Sequence, residues 1–154
     1  VHEHIYGSTR LSEINSADYL QQVASGVKAA FGNDIALDIA IDPLKLHPDM
    51  AMNLGLIVAE LITNSMKHGF ANRSEGLISL RMSCDPTGTA TLTVRDNGQP
   101  FDPSAISGKG IGLKLLKGFA EQIHAEYTIE GKDGLDFRMS FPLKGASFSD
   151  SFGR

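Results

Sequence analysis

The chain has 154 residues, is 42% hydrophobic and 21% charged, and carries a formal net charge of −4. Those values suit one soluble globular domain with a sizeable core. They exclude a broad basic footprint for nucleic acid, and with no apolar run near the length of a span they predict no direct membrane contact.

The first residues, VHEHIYGS, lack the basic start and apolar core of a signal peptide. The chain begins without Met, in what reads as mid-helix, so it is expected to be a fragment of a longer protein. Residues 16–31 read as a helix, with Ser16 as N-cap, Tyr19, Leu20, Val23 and Val27 as its apolar face, and Gly32-Asn33 as its stop. In residues 35–41 the alternation of Ile35, Leu37, Ile39 and Ile41 with Ala36, Asp38 and Ala40 predicts a half-buried strand. Pro43 ends it, and Leu44–Leu46 adds a short extended piece.

Pro48-Asp49 opens a long helix that Gly69 closes, with Leu54, Ile57, Val58, Leu61 and Ile62 as its core stripe. Two strands follow. In 77–84, Ile78, Leu80, Met82 and Cys84 point inward; in 90–95, Ala90, Leu92 and Val94 do; Asp85-Pro86-Thr87-Gly88 supplies the turn between them. Cys84 is thus placed in the core, with no partner for a disulfide or a CxxC metal site, which fits a reducing compartment. Residues 96–109 are loop. A helix over about 111–124 presents Ile111, Leu115, Phe119 and Ile123 on one face. Residues 126–131 and 135–141 form a last hairpin around Lys132–Gly134, and 144–154 read as a loose tail. His47 and His124 fall near element ends and read as surface. The methionines read as packing.

The order α-β-α-β-β-α-β-β, with cleanly alternating strands, suits a mixed or largely antiparallel sheet covered on one face by helices. A doubly wound parallel sheet would need strands that are apolar on both faces.

Three segments bear chemistry. The first is ELITNSMKHGF, residues 60–70. At about 100° per residue, Glu60, Asn64, Lys67 and His68 share an arc of roughly 100° beside the apolar stripe. Either they are a solvated helix face or they assemble a site. Asn64 offers an amide oxygen suited to Mg²⁺ beside phosphates. Glu60 can orient or deprotonate a nucleophile, and Lys67 and His68 can neutralise phosphate oxygens. The second is Asp96-Asn97-Gly98 at the carboxyl end of a strand. It is either a plain strand-ending turn or a carboxylate that accepts from an exocyclic amine such as that of adenine, with Gly98 leaving room for the base. The third is GKGIGL, residues 108–113, where Gly108, Gly110 and Gly112 lead into a helix whose free N–H groups can meet phosphates. It is neither a Walker A loop nor a Rossmann fingerprint.

In this order and on these elements, the three segments resemble the N, G1 and G2 boxes of the GHKL ATPase superfamily. That group includes the catalytic domains of bacterial sensor histidine kinases, MutL and the type II topoisomerase ATPase domains. The match covers roughly 49–142. The lead-in HEHIYGS with its Ser-Ala-Asp-Tyr-Leu helix, and the short lid, are most similar to HisKA_2/HWE histidine kinases. The resemblance implies an α+β fold, a two-layer α/β sandwich with a Bergerat-type mixed, largely antiparallel sheet covered on one face by about three helices. It implies residues 1–15 as the tail of a dimerisation helix plus linker, 16–143 as the ATP-binding catalytic domain, and 144–154 as a flexible tail.

The implied cofactors are ATP and Mg²⁺. The implied reaction is transfer of the γ-phosphoryl to a histidine upstream of this fragment. Asp96 would bind the adenine amine and Gly98 make room for it. Asn64 would hold Mg²⁺, and Glu60 would polarise the nucleophile. Lys67, His68 and Lys109 would contact phosphates, while Gly108, Gly110 and Gly112 would shape the lid. The implied partners are the dimerisation and phosphoacceptor helices and, for the whole protein, a response regulator; the implied location is cytoplasmic. His2 and His4 lie on the wrong segment to be phosphoacceptors. One departure is Pro100, where many members carry the second glycine of D-x-G-x-G. The rival expectations are a pseudo-kinase or histidine phosphotransferase acting as an interaction module, and another GHKL protein such as a serine kinase or ATPase clamp.

Overall fold

The computed structural model describes residues 13–105 and 111–143. The elements run β1 (Ile14–Asn15), α1 (Ser16–Phe31), β2 (Asp34–Ile41), β3 (Lys45–Leu46), α2 (Pro48–Asn64), β4 (Glu75–Cys84), β5 (Thr89–Asp96), α3 (Ile111–Ile123), β6 (Glu126–Glu130) and β7 (Asp136–Pro142). Five strands make one sheet in the order β2-β4-β5-β7-β6, and β1 pairs with β3 in a small separate ribbon. The β2–β4 pair is parallel; β4–β5, β5–β7 and β6–β7 are antiparallel. This is the expected mixed, largely antiparallel sheet.

The three helices pack side by side, α1 on α2 and α2 on α3, with α1 against β2 and α2 against β5. One core joins them to the sheet: Leu20 and Ala24 of α1, Leu54, Ile57, Val58, Leu61 and Ile62 of α2, and the inward rows Ile78-Leu80-Met82, Ala90-Leu92-Val94 and Phe137-Met139-Phe141. The period-2 alternation reserves the other face for Arg81, Arg95 and Arg138, all exposed. Arg81 pairs there with Asp38, and Arg95 with Asp136. Gly55 sets how closely α1 and α2 cross, because a Cβ at that position would lie 2.8 Å from the ring of Tyr19.

Four local expectations are corrected. Asn15, not Ser16, caps α1: its Oδ1 accepts from the Asp18 amide at 3.0 Å. Ser16 is buried instead. Its hydroxyl donates to the Asp42 carbonyl at 2.6 Å and accepts from the Leu44 amide at 2.8 Å, so the bend at Pro43 competes successfully for it. Helix α2 stops at Asn64, and one π turn, Ser65–Gly69, carries the chain on. There the Phe70 amide bonds the Ser65 carbonyl at 3.0 Å.

In α3 the buried stripe is Leu113, Leu116, Phe119, Ala120 and Ile123, and Leu115 is 48% exposed. A row spaced every four residues drifts by about 40° per step at 3.6 residues per turn, so Leu115 rotates out while a stripe alternating threes and fours stays on the core. Cys84 is half-buried rather than core, because β2 runs out opposite Met82 and leaves the end of β4 uncovered. The expectations for 1–12 and 144–154, His2 and His4 included, lie outside the described residues, as do Gly108, Lys109 and Gly110.

Candidate functional site

The site forms where α2 runs out beside the carboxyl end of β5. Helix α2 begins with His47 as N-cap, its Nδ1 accepting from the Asp49 amide at 3.0 Å, and Pro48 in the first turn. Its apolar stripe is buried, which turns Glu60 and Asn64, one turn apart, onto a half-buried flank. Lys67 and His68 follow on the wider π turn and are exposed. The predicted arc therefore divides into a half-buried acid and amide and an exposed pair of bases. π turns of this kind occur often at functional sites.

Strand β5 delivers Asp96 to the same place. The carboxylate is held by three donors. Ser65 Oγ donates to Oδ2 at 2.5 Å, while the amides of Gly98 and Leu135 each donate to Oδ1 at 2.9 Å. A carboxylate has about four acceptor positions, so one direction at Oδ2 remains for a ligand's donor. The Asp96 amide in turn donates to the Leu135 carbonyl at 3.0 Å.

The two segments are sewn together by backbone. The Gln99 amide donates to the Gly69 carbonyl at 2.9 Å, and its side-chain amide donates to the His68 carbonyl at 2.6 Å. A Cβ on Gly98 would lie 2.5 Å from the Gly69 carbonyl oxygen. The missing side chain of Gly98 thus first admits the end of the π turn. Arg73 steadies the turn from outside, donating to the Asn97 carbonyl at 3.1 Å. Beyond it, Phe101 is tied through its amide to the Gly131 carbonyl at 3.0 Å. Helix α3, with Gly112 in its first turn, packs on α2.

The residues fit an adenine nucleotide and a hard cation on two observations. Asp96 is oriented with an acceptor position to spare. The Asn64 side-chain amide has a buried Nδ2 without a hydrogen-bond partner. The nitrogen and oxygen ends of an Asn amide are nearly interchangeable in shape. Turned over, the same group offers a neutral oxygen of the kind Mg²⁺ accepts beside phosphates.

Sequence reasoning missed Ser65, Gly134 and Leu135 around Asp96, and Gln99 and Arg73 between the two segments. Gly134 has φ +102°, and a Cβ there would lie 2.5 Å from the Asp96 carbonyl oxygen. The antiparallel pairing of β5 with the last strand, β7, explains the place of Gly134 and Leu135, and no local sequence signal announces it. The pairing carries the hairpin turn back to the end of β5.

The sequence family described as histidine kinase-like ATPase domain matches residues 33–141. The chain belongs to that family. Among curated proteins, it is 26% identical to blue-light-activated histidine kinase 2 of Erythrobacter litoralis over 129 residues, 81% of this chain and 37% of that protein. It is 29% identical to the nitrate/nitrite sensor protein NarQ of Escherichia coli over 121 residues, 76% of this chain and 20% of that one. An anti-sigma F factor of Priestia megaterium is 24% identical over 93 residues, 53% of this chain and 63% of its own. The chain thus spans well under half the length of the first two of these relatives.

Among solved structures, the histidine kinase domain of the Erythrobacter litoralis blue-light-activated kinase has a TM-score of 0.74 at 24% identity, covering 84% of this chain and 62% of that one. The mycobacterial sensor histidine kinase MprB has 0.68 at 17%, covering 85% and 96%. Full-length ShkA in complex with AMPPNP has 0.63 at 18%, covering 86% and 31%. At these identities the structural likeness establishes the fold, which is that of the histidine kinase-like ATPase domain.

Proposed function

We propose that this chain is the ATP-binding catalytic domain of a sensor histidine kinase, and that it transfers the γ-phosphoryl of ATP to a histidine carried outside it. The observation that carries this reading is the Asp96 carboxylate, held by three protein donors at the end of the helix that bears Asn64. A fixed acceptor of that kind suits the exocyclic amine of adenine. The ShkA structure with AMPPNP, an ATP analogue on a related fold, supports the same ligand class.

The remaining roles follow from chemistry and position. Asn64 would hold Mg²⁺ through its amide oxygen. When bound, the ion would offset phosphate charge, which is much of what phosphoryl transfer requires. Glu60, one turn earlier, would orient or deprotonate the incoming nucleophile. Lys67 and His68 would neutralise phosphate oxygens from the exposed turn, together with Lys109. Gly98 would join the π turn to the base site, and Gly108, Gly110 and Gly112 would shape the lid and its entry into α3. Residues 16–143 would form the domain, docking on dimerisation and phosphoacceptor helices of the same or a partner chain. In the whole protein a response regulator would take the phosphoryl group. The working location would be cytoplasmic; no helix among the described residues is long and apolar enough to cross a membrane.

The anti-sigma F factor matches favour a second reading, a kinase-like ATPase that acts on another regulatory protein. The two kinase matches cover more of this chain, 81% and 76% against 53% and 58%, and weigh toward the first.

The test is calorimetric titration of ATP with Mg²⁺ and then with EDTA, on wild type, Asp96→Asn and Asn64→Ala. Saturable binding that Asp96→Asn removes, and whose Mg²⁺ dependence Asn64→Ala removes, supports the proposal. A well-folded chain that binds no ATP overturns it in favour of a pseudo-kinase or phosphotransferase.

A further inference from the structure

We infer that Ser65 is a positioning residue that makes the site selective for a base with an exocyclic amine, an inference that rests on the nucleotide reading above. The two backbone amides that hold Asp96 both bond the same oxygen, Oδ1, at 2.9 Å. Because a carboxylate is planar, they set Oδ2 only as firmly as those two bonds hold Oδ1 against rocking about the Cβ–Cγ bond, a soft torsion. Ser65 is the side chain that reaches Oδ2, at 2.5 Å.

In that bond the Ser65 hydroxyl donates and the carboxylate oxygen accepts. Oδ2 is thereby pinned with one lone pair filled by Ser65 and one open. Pinned this way, Oδ2 meets a donor and repels an acceptor. An amine on the base therefore gains a charge-assisted hydrogen bond in fixed geometry, and a base that lacks the amine gains nothing.

The position of Ser65 is itself fixed. It is 3% exposed and is the first residue of the π turn, where its carbonyl accepts from the Phe70 amide. Helix, turn and carboxylate are thus coupled at one small side chain, and swapping its hydroxyl for hydrogen removes the bond with little change in volume.

The experiment compares two probes on the 154-residue chain: ATP, and purine riboside triphosphate, which is ATP without the 6-amino group. Affinities are measured for wild type, Ser65→Ala and Ser65→Thr, with thermal melts to check folding. The expected result is that Ser65→Ala weakens ATP by roughly tenfold while the deamino probe changes by less than about twofold, so that the preference for ATP shrinks, and that Ser65→Thr, which keeps the hydroxyl, restores it. Equal weakening of both probes, or an unchanged preference, overturns the inference and leaves Ser65 a purely structural tie. If Ser65→Ala does not fold, Ser65→Cys, of nearly the same shape and a weak donor, is read for the same ratio. A wild type that binds ATP no better than the deamino probe overturns the Asp96 reading itself, and the inference falls with it.

Discussion

Gly134 lies so close to Asp96 that a Cβ at its position would sit 2.5 Å from the Asp96 carbonyl oxygen and 2.7 Å from Oδ1. The turn between β6 and β7 is therefore part of the wall behind the Asp96 carboxylate. Gly134→Ala meets two penalties, a φ of +102° that alanine tolerates poorly and the contact itself. It should destabilise the fold by about 1–3 kcal/mol and weaken ATP further than its loss of stability explains. Urea denaturation paired with titration at a temperature where the variant is fully folded separates the two effects.

Asp96→Asn should leave the fold intact and cost nucleotide. The amide oxygen can still accept from Gly98 and Leu135, and the Ser65 hydroxyl can turn to accept from the new amide nitrogen. That nitrogen then faces a ligand's amine, donor against donor. ATP affinity should fall roughly 10- to 100-fold, with an unchanged circular dichroism spectrum as the control.

Asn64 carries a buried amide nitrogen without a partner, a group that costs stability in the empty fold. Asn64→Ala should accordingly melt at or above the wild-type temperature while losing the Mg²⁺ dependence of ATP binding. A clear drop in melting temperature would show that the amide is satisfied in the folded chain and is not held ready for a ligand.

The β4–β5 turn offers a pH probe away from the site. Thr87 Oγ1 donates to Asp85 Oδ1 at 2.6 Å, and the amides of Thr87 and Thr89 add 2.9 and 3.0 Å bonds. The Thr87 hydroxyl first, then the Thr89 amide, hold the Asp85 carboxyl below its usual 3.8. A folded value below the unfolded one gives stability that is complete above about pH 4 and is lost as the pH falls through the folded value. An NMR titration should find Asp85 protonating below the unfolded value, and Thr87→Val should move it upward.

Much of the fold was legible because its elements are strongly periodic. The inward rows of β5 and β7 were read residue for residue, as was the stripe of α2, and in β4 Ile78, Leu80 and Met82 were read correctly while Cys84 was not. What sequence missed are places where two segments bargain over one group. Ser16 has the chemistry of a cap, yet Asp42 and Leu44 claim its hydroxyl and Asn15 takes the cap. Leu115 obeys a spacing of four but rotates off the core.

The candidate site divides along the same line. Glu60, Asn64 and Asp96 announce themselves by residue type and by their places in chain order. Leu135 contributes only its backbone, so its side chain carries no sign of the role. Ser65 is a small residue in a helical run, and nothing local says that a carboxylate 31 positions later will meet it.

The three bonds to Asp96 also bear on how the domain opens. They join the π turn that follows α2, the start of the loop after β5, and the residue just before β7, the last lying 39 positions beyond Asp96. None of these stretches can lift away without releasing the carboxylate that the other two share. In native-state hydrogen exchange, the amides of Gly98 and Leu135 should therefore lose protection at one common rate, as a single cooperative unit. A bound nucleotide would slow that unit as a whole.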